Sequence, residues 1–249
     1  YDVEQLARRY PAARFLLLRQ PATPGEKVNL GMEEAGGEQV MVLWSDMRGE
    51  GPGPAAGLRD SAPAAGGELL CQVPRLKGPR GEVLPSIRVP AWIKGRLKVL
   101  AWKPVQEGMR TLLPFDYCGL YSRQRFLRLG GYDPRMSNPY WQKMDFGFRA
   151  ALWGETIAWH PRWQLSYTAE PEGEDNTPDS SYKLFFLKNL AVRFTGDSGL
   201  LPFSRFPRYV LRSGSGLLES LQEFREVRAW VHQNRFRFQA DVPGLLARW

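Results

Sequence analysis

Residues 24–46 read PGEKVNLGMEEAGGEQVMVLWSD, and the order of features along them sets the fold class. The turn from Pro21 to Gly25 leads into a helix whose inner face is marked by Val28, Met32 and Ala35, and Gly36 with Gly37 stops that helix. Gln39 to Trp44 follows as an apolar strand. Asp46 lies just past the carboxyl end of that strand, in the turn Ser45-Asp46-Met47. Ligands of open α/β sheets gather at such ends.

Moving outward, the same rhythm recurs. Val3, Leu6, Ala7 and Tyr10 have helical spacing and Pro11 ends them, after which Arg14 to Arg19 reads as a short buried strand. This pattern predicts a mostly parallel sheet in which Arg14–Arg19 and Gln39–Trp44 are neighbours. Arg48 to Gly67 is mostly Gly, Pro and Ala and reads as a mobile loop. From Arg75 to Lys103 the cations Arg75, Lys77, Arg80, Arg88, Lys94, Arg96, Lys98 and Lys103 meet only Glu82 in opposition, with Trp92 and Trp102 interleaved. A solvated edge strand protected by lysines is favoured there over a membrane-surface or phosphate-tracking segment. Ser122 opens a short helix ended by Gly130-Gly131, and Pro139 opens another, from Tyr140 to Trp153, closed by Gly154. A strand through Thr156–His160, a polar turn region from Glu170 to Asn176, a helix from Thr177-Pro178 and an amphipathic helix from Ser215 to about Phe236 complete the chain.

Composition narrows the class. The chain has 249 residues, 43% hydrophobic and 24% charged, enough for a real core and too apolar for disorder throughout. The longest aliphatic run, Phe15–Leu18, is far short of the ~20 residues of a membrane span. Cys71 and Cys118 lack any Cys-x-x-Cys spacing, which argues against a zinc site or a disulfide framework and for a reducing compartment. With 34 Lys and Arg against 26 Asp and Glu, the net charge of +8 suits an acidic partner. No nucleic-acid-binding module accompanies it, so no nucleic-acid partner is expected.

Three ordered motifs resemble family-2 glycosyltransferases. The first runs from Tyr10-Pro11 through Gly25-Glu26-Lys27-Val28-Asn29 and Ala35-Gly36-Gly37 to Val42-Leu43-Trp44-Ser45-Asp46, similar to the family's approach to its Asp-x-Asp turn. The second is Ser122 to Asp133, ending Gly130-Gly131-Tyr132-Asp133. The third is Trp141 to Gly154, similar to the family's acidic helix. The resemblance implies a GT-A fold over residues 1–176, with 177–249 as a helical C-terminal extension. It further implies that the family's first strand and nucleobase turn precede Tyr1. Gly25, Asn29, Ser45 and Asp46 would then contact a nucleotide-sugar donor, and Asp46 would hold Mg²⁺ or Mn²⁺ on its diphosphate. Asp145 would act as base, with Asp133 beside the reacting sugar and Asp116 in reserve. The implied reaction transfers sugar with inversion to a glycan, lipid-linked or protein acceptor. The implied place is the cytoplasm, with peripheral contact to an anionic membrane as an option. This chain departs from the pattern where Trp44 replaces the first acid of Asp-x-Asp and where Gln142 and Lys143 replace the Glu-Asp pair. Those departures favour the rival expectation, a GT-A-like module that binds carbohydrate or a partner without turnover. Asp145 and Arg149, four apart on a helix, have an ion pair as their rival reading.

Overall fold

The structure, a computed structural model, describes residues 2–50, 68–106, 108–214 and 216–249. Helices α1 (Val3–Arg9) and α2 (Pro24–Glu34) lead to strands β1 (Gln39–Val42) and β2 (Met47–Glu50). Thr23 caps α2 in a reciprocal capping box with Glu26, so the boundary is fixed by side-chain hydrogen bonds. Strands β3 (Cys71–Lys77), β4 (Ile87–Ile93), β5 (Arg96–Trp102) and β6 (Gly119–Ser122) come next. Helices α3 (Arg123–Leu129) and α4 (Pro139–Leu152) and the long strand β7 (Ile157–Tyr167) follow. The C-terminal part holds α5 (Ser180–Phe185), a π-helical turn at Phe186–Leu190, the hairpin β8 (Arg193–Thr195) and β9 (Ser198–Leu200), and helices α6 (Phe206–Ser213), α7 (Leu217–Gln233) and α8 (Val242–Ala247). Among the described residues no helix is long and apolar enough to cross a membrane.

The central sheet has the order β1-β6-β3-β7-β2. The expected α/β layering stands, but strand direction differs from the expectation of a mostly parallel sheet. Among the described residues only β3 and β7 pair in parallel, whereas β1–β6, β3–β6 and β2–β7 are antiparallel. The β3–β7 register shifts between Val73 and Arg75, where Pro74 lacks the N–H that a ladder needs and Pro161 falls in the skipped part of β7. Arg14–Arg19 is a second correction. It is not a strand, its residues are exposed, and Leu17 is 72% exposed. Its apolar run reads as buried, yet no neighbouring strand among the described residues offers it backbone partners, and Arg14 ties it instead to Glu34 at the end of α2.

Two more expectations are refined. Arg48–Glu50, the start of the expected loop, belongs to the sheet in β2, and residues 51–67 of that loop lie outside the described residues. The basic stretch splits: Arg75 and Lys77 lie in an interior strand, while β4 and β5 form a separate hairpin. Its two-residue turn, Lys94-Gly95, has positive φ at both positions, as a hairpin turn matched to strand twist requires.

Helix α4 is buried over nearly its whole circumference. Phe146 and Ala150 face the sheet, packing with Tyr121, Phe126 and Tyr132. Met144, Phe148 and Leu152 face the C-terminal part, joining Phe185, Leu187, Phe224 and Val227. Apolar residues on both sides of position 176 therefore share one cluster. Packing is close at Gly147, where an added Cβ would overlap the Leu112 carbonyl and lie 2.8 Å from Leu113 Cβ. Gly147→Ala is accordingly expected to lose about 1–3 kcal/mol in urea unfolding, because backbone cannot yield cheaply. Gly31→Ala, in α2 with nothing within 4 Å of the place an added Cβ would take, should instead gain about 0.5–1 kcal/mol.

Candidate functional site

The turn Ser45-Asp46 follows β1, as expected, and the Asp46 carbonyl accepts a hydrogen bond from the Thr168 N–H at 2.7 Å, which ties it to the end of β7. Facing it is the tight turn Phe115–Tyr117, in which Asp116 and Tyr117 both have positive φ, 49° and 59°. Two adjacent non-glycine residues in this region cost roughly 1–3 kcal/mol each and need surrounding structure to hold them. That support is visible. The Trp44 indole N–H donates to the Asp116 carbonyl at 2.6 Å, the Tyr121 hydroxyl donates to the Tyr117 carbonyl at 2.7 Å, and the Tyr167 hydroxyl donates to Asp116 Oδ2 at 3.0 Å. Tyr117 itself donates from its hydroxyl toward Gln142 Oε1 and the Pro139 carbonyl, each at 3.0 Å.

The turn of Asp116 is thus set against the segment after β1 that carries Asp46, near enough for the two carboxylates to influence each other electrostatically. Burial raises the Asp116 carboxyl above its ordinary value and Asp46 adds to the rise, while Lys143 and the Tyr167 hydroxyl oppose it. Trp44, which stands in place of the first acid, thus orients the turn that supplies a different one. A divalent cation fits this donor set chemically, because it would relieve the repulsion between the two acids. Among the described residues no group of three or more His, Cys, Asp or Glu is placed to hold a metal alone, so phosphate oxygens and water would have to complete the shell.

The other expected site residues have different work. Gly25 starts α2 against Gln142, whose Oε1 an added Cβ would overlap. Gln142 is fully buried: its Oε1 accepts from the Gly25 N–H and Tyr117 hydroxyl, and its Nε2 donates to Thr23 Oγ1 and the Asp133 carbonyl. Asn29 spends its amide on Tyr132, donating to the carbonyl at 2.7 Å and accepting from the N–H at 2.8 Å. Gly25 and Asn29 therefore seat α2 on the turn before α4 instead of offering side-chain groups to a ligand. Ser45 is exposed in its turn.

Asp145, expected as the base, lies inside an ion network. It is 0% exposed, and its Oδ2 accepts from Arg149 at 2.8 Å and from Lys188 at 3.0 Å, while Oδ1 accepts from Asn189 at 2.8 Å. Arg149 also donates to the carbonyls of Leu129 and Gly131, closing the end of α3. Asp133 is nearly as closed, held by Arg135 at 2.7 Å and Lys188 at 2.9 Å. Burial by itself would raise both carboxyls, but Arg135 and Lys188 hold Asp133 well below the usual carboxylate range, and Lys188 with Arg149 hold Asp145 low. The ion pair expected as the rival reading is present, buried and enlarged by Lys188. Both carboxylate oxygens of Asp145 are thus engaged by neighbouring side chains inside the protein.

Toward the cleft, α4 presents Lys143. Its ammonium bonds Glu174 Oε1 at 2.5 Å and lies 5.4 Å from the Tyr117 ring centre. Arg88 reaches Glu174 Oε2 at 2.8 Å. These three side chains, with Val99, Leu113, Tyr140, Met144 and Asn176, line a pocket of about 230 Å³. In sequence, Arg88 is noted only as one cation of the basic stretch, while Tyr167 and Glu174 are given no role. Glu174 had a signal as well, since a lysine within a buried helix requires a carboxylate and the acidic run 170–176 is the nearby supply.

The buried network yields a stability prediction. Asp145→Asn leaves Lys188 and Arg149 short of a buried counter-charge and is expected to cost about 3–5 kcal/mol in urea unfolding at neutral pH. Because the native carboxyls of Asp133 and Asp145 are depressed, the stability they contribute is complete above the unfolded value of about 3.9 and is lost as pH falls toward their native values. The acid limb of a stability–pH curve should therefore be shallower in Asp145→Asn than in the parent chain.

No known family profile matches this chain, and no curated protein matches it in sequence. Its fold is similar to the solved structure of GalNAc-T7 with UDP, GalNAc and Mn²⁺, at a TM-score of 0.58 and 16% identity. The match covers 91% of this chain and 45% of that one, so the chain spans less than half the length of this structural relative. At this identity the likeness reaches the fold alone and does not single out family 2. The chain is therefore an α/β protein with the architecture of GT-A glycosyltransferases.

Proposed function

We propose that this chain forms the donor-binding part of a glycosyltransferase that takes sugar from a nucleotide diphosphate carrier and passes it to a glycan acceptor. The observation that carries the reading is the strained Asp116 turn, which Trp44, Tyr121 and Tyr167 hold against the end of β1 where Asp46 follows. Asp46 and Asp116 would hold Mg²⁺ or Mn²⁺, and the cation would offset diphosphate charge. The solved GalNAc-T7 structure contains UDP, GalNAc and Mn²⁺, which supports a nucleotide-sugar donor and a divalent cation for this fold. Membership of family 2 and inversion at the anomeric carbon remain parts of this proposal, supported by the three ordered motifs.

A second reading has its own observation. Gln142 and Lys143 stand where the similar family has acids, and Asp145 is sealed in an ion network, so α4 offers no carboxylate to deprotonate an acceptor. That arrangement suits a module that binds nucleotide sugar or glycan without turnover.

Titration calorimetry with UDP, with and without Mn²⁺, tests the first reading. Binding should tighten when Mn²⁺ is present, and Asp46→Ala or Asp116→Ala should each weaken the Mn²⁺-dependent part by at least the ~10–100-fold that loss of an outer-shell partner costs a metal site. UDP binding that ignores Mn²⁺ and both substitutions would refute the assignment. Metal-dependent binding of UDP-sugar with no hydrolysis or transfer would select the non-catalytic module.

A further inference from the structure

Arg88 and Lys143 are two cations that come from different layers, the β4–β5 hairpin and helix α4, and meet on one carboxylate. Their side chains are 12% and 6% exposed. The Phe115 ring lies 5.0 Å from the Arg88 guanidinium and 5.9 Å from the Lys143 ammonium, so the cations are braced from behind by aromatic faces. Arg88 is further fixed by donating to the Pro85 carbonyl at 3.0 Å. Cations held this firmly at a concave surface are a preformed receptor for an oxyanion.

Their present partner is held differently. Glu174 belongs to residues 168–179, which have no helix or strand and run mostly exposed between β7 and α5. Glu174 is the residue of that segment that reaches the pocket with charge, and Asn176 follows it. One carboxylate against two cations leaves the pocket with a net positive charge. The pocket, about 230 Å³, is smaller than the ~300–1,000 Å³ of a cleft for a whole drug-sized ligand. It suits one acidic group on a larger molecule that continues into the cleft toward Asp116, whose carboxyl feels both Lys143 and Glu174.

We propose that Arg88 and Lys143 form a binding site for an oxyanion, carboxylate or phosphate, carried by the ligand, and that Glu174 fills this site as an internal substitute that the ligand displaces. This deepens the glycosyltransferase reading by giving the acidic group two sources: the acceptor, as a uronic acid or phosphorylated sugar, or the diphosphate of the donor. It concerns binding alone and breaks no bond.

Direct binding tests it without relying on turnover. Titrations of the whole chain at low salt would use D-glucuronate, inorganic phosphate and UDP in separate arms, with glucose as the uncharged control. Glu174→Gln removes the internal competitor and keeps the side-chain shape, so at least one anion should bind roughly tenfold tighter or more, as expected when the competent state ceases to be a minor one. Adding Lys143→Met to Glu174→Gln should abolish the gain. A gain confined to glucuronate assigns the site to the acceptor, and one confined to UDP assigns it to the donor. If Glu174→Gln does not fold, Glu174→Asp, which withdraws the carboxylate by one methylene, should show a smaller gain in the same titrations. No gain for any anion in whichever variant folds, or a gain that survives Lys143→Met, would overturn the proposal. Loss of the Mn²⁺ effect on UDP with the glucuronate gain intact would sink the donor-site reading and leave this site standing.

Discussion

Burial of α4 on all sides is the constraint to which the rest of the structure answers. A helix between a sheet and a second helical layer has no solvent-facing stripe, so any polar residue on it must find its partners inside the protein. Gln142, Asp145 and Arg149 do so completely, each with several bonds that draw in a separate element: α2 through Gly25 and Thr23, α3 through Leu129, and the π-helical turn through Lys188 and Asn189. Pairs of this kind are weak evidence of stability when compared with an apolar core, yet breaking one partner is costly. Their effect is to fix how the layers sit on each other. Lys143 is the exception, because its partner comes from an exposed segment.

The same constraint bears on the cleft. Tyr117 anchors to Gln142 and to the Pro139 carbonyl at the start of α4, and through it the strained turn that carries Asp116 is fastened to the buried helix. Trp44 fastens the turn from the other side. A change at position 44 is therefore felt at Asp116 through the backbone, although no charge is exchanged between them.

Much of this fold is readable from residues whose chemistry is local. Gly130-Gly131 ends α3 because Gly130 takes the left-handed cap conformation, and Pro139 opens α4 with Asn138 accepting from two free N–H groups. The turn after β1 is legible for the same reason. What escaped is non-local. Arg14–Arg19 has the composition of a strand, but a strand exists only with a neighbour, and periodicity does not report neighbours. Strand directions depend on connections that pass through residues such as 51–67, which have no pattern to read. Gly25 and Asn29 are singled out by sequence, yet whether a glycine admits a ligand or a glutamine is decided by what packs above it. Glu174 is 31 residues from Lys143 and joins it only once β7 has returned the chain to the cleft.

Lys188 and Asn189 are consecutive, yet both side chains meet the one carboxylate of Asp145 on a neighbouring helix. They do so from the π-helical turn at Phe186–Leu190, which takes one more residue per hydrogen-bonded loop than an α-helix. The number of residues between α5 and β8 is thus fixed as firmly as their identity. Related chains can be expected to vary the apolar residues of this turn while keeping its length, since a one-residue deletion would rotate Lys188 away from both aspartates at once.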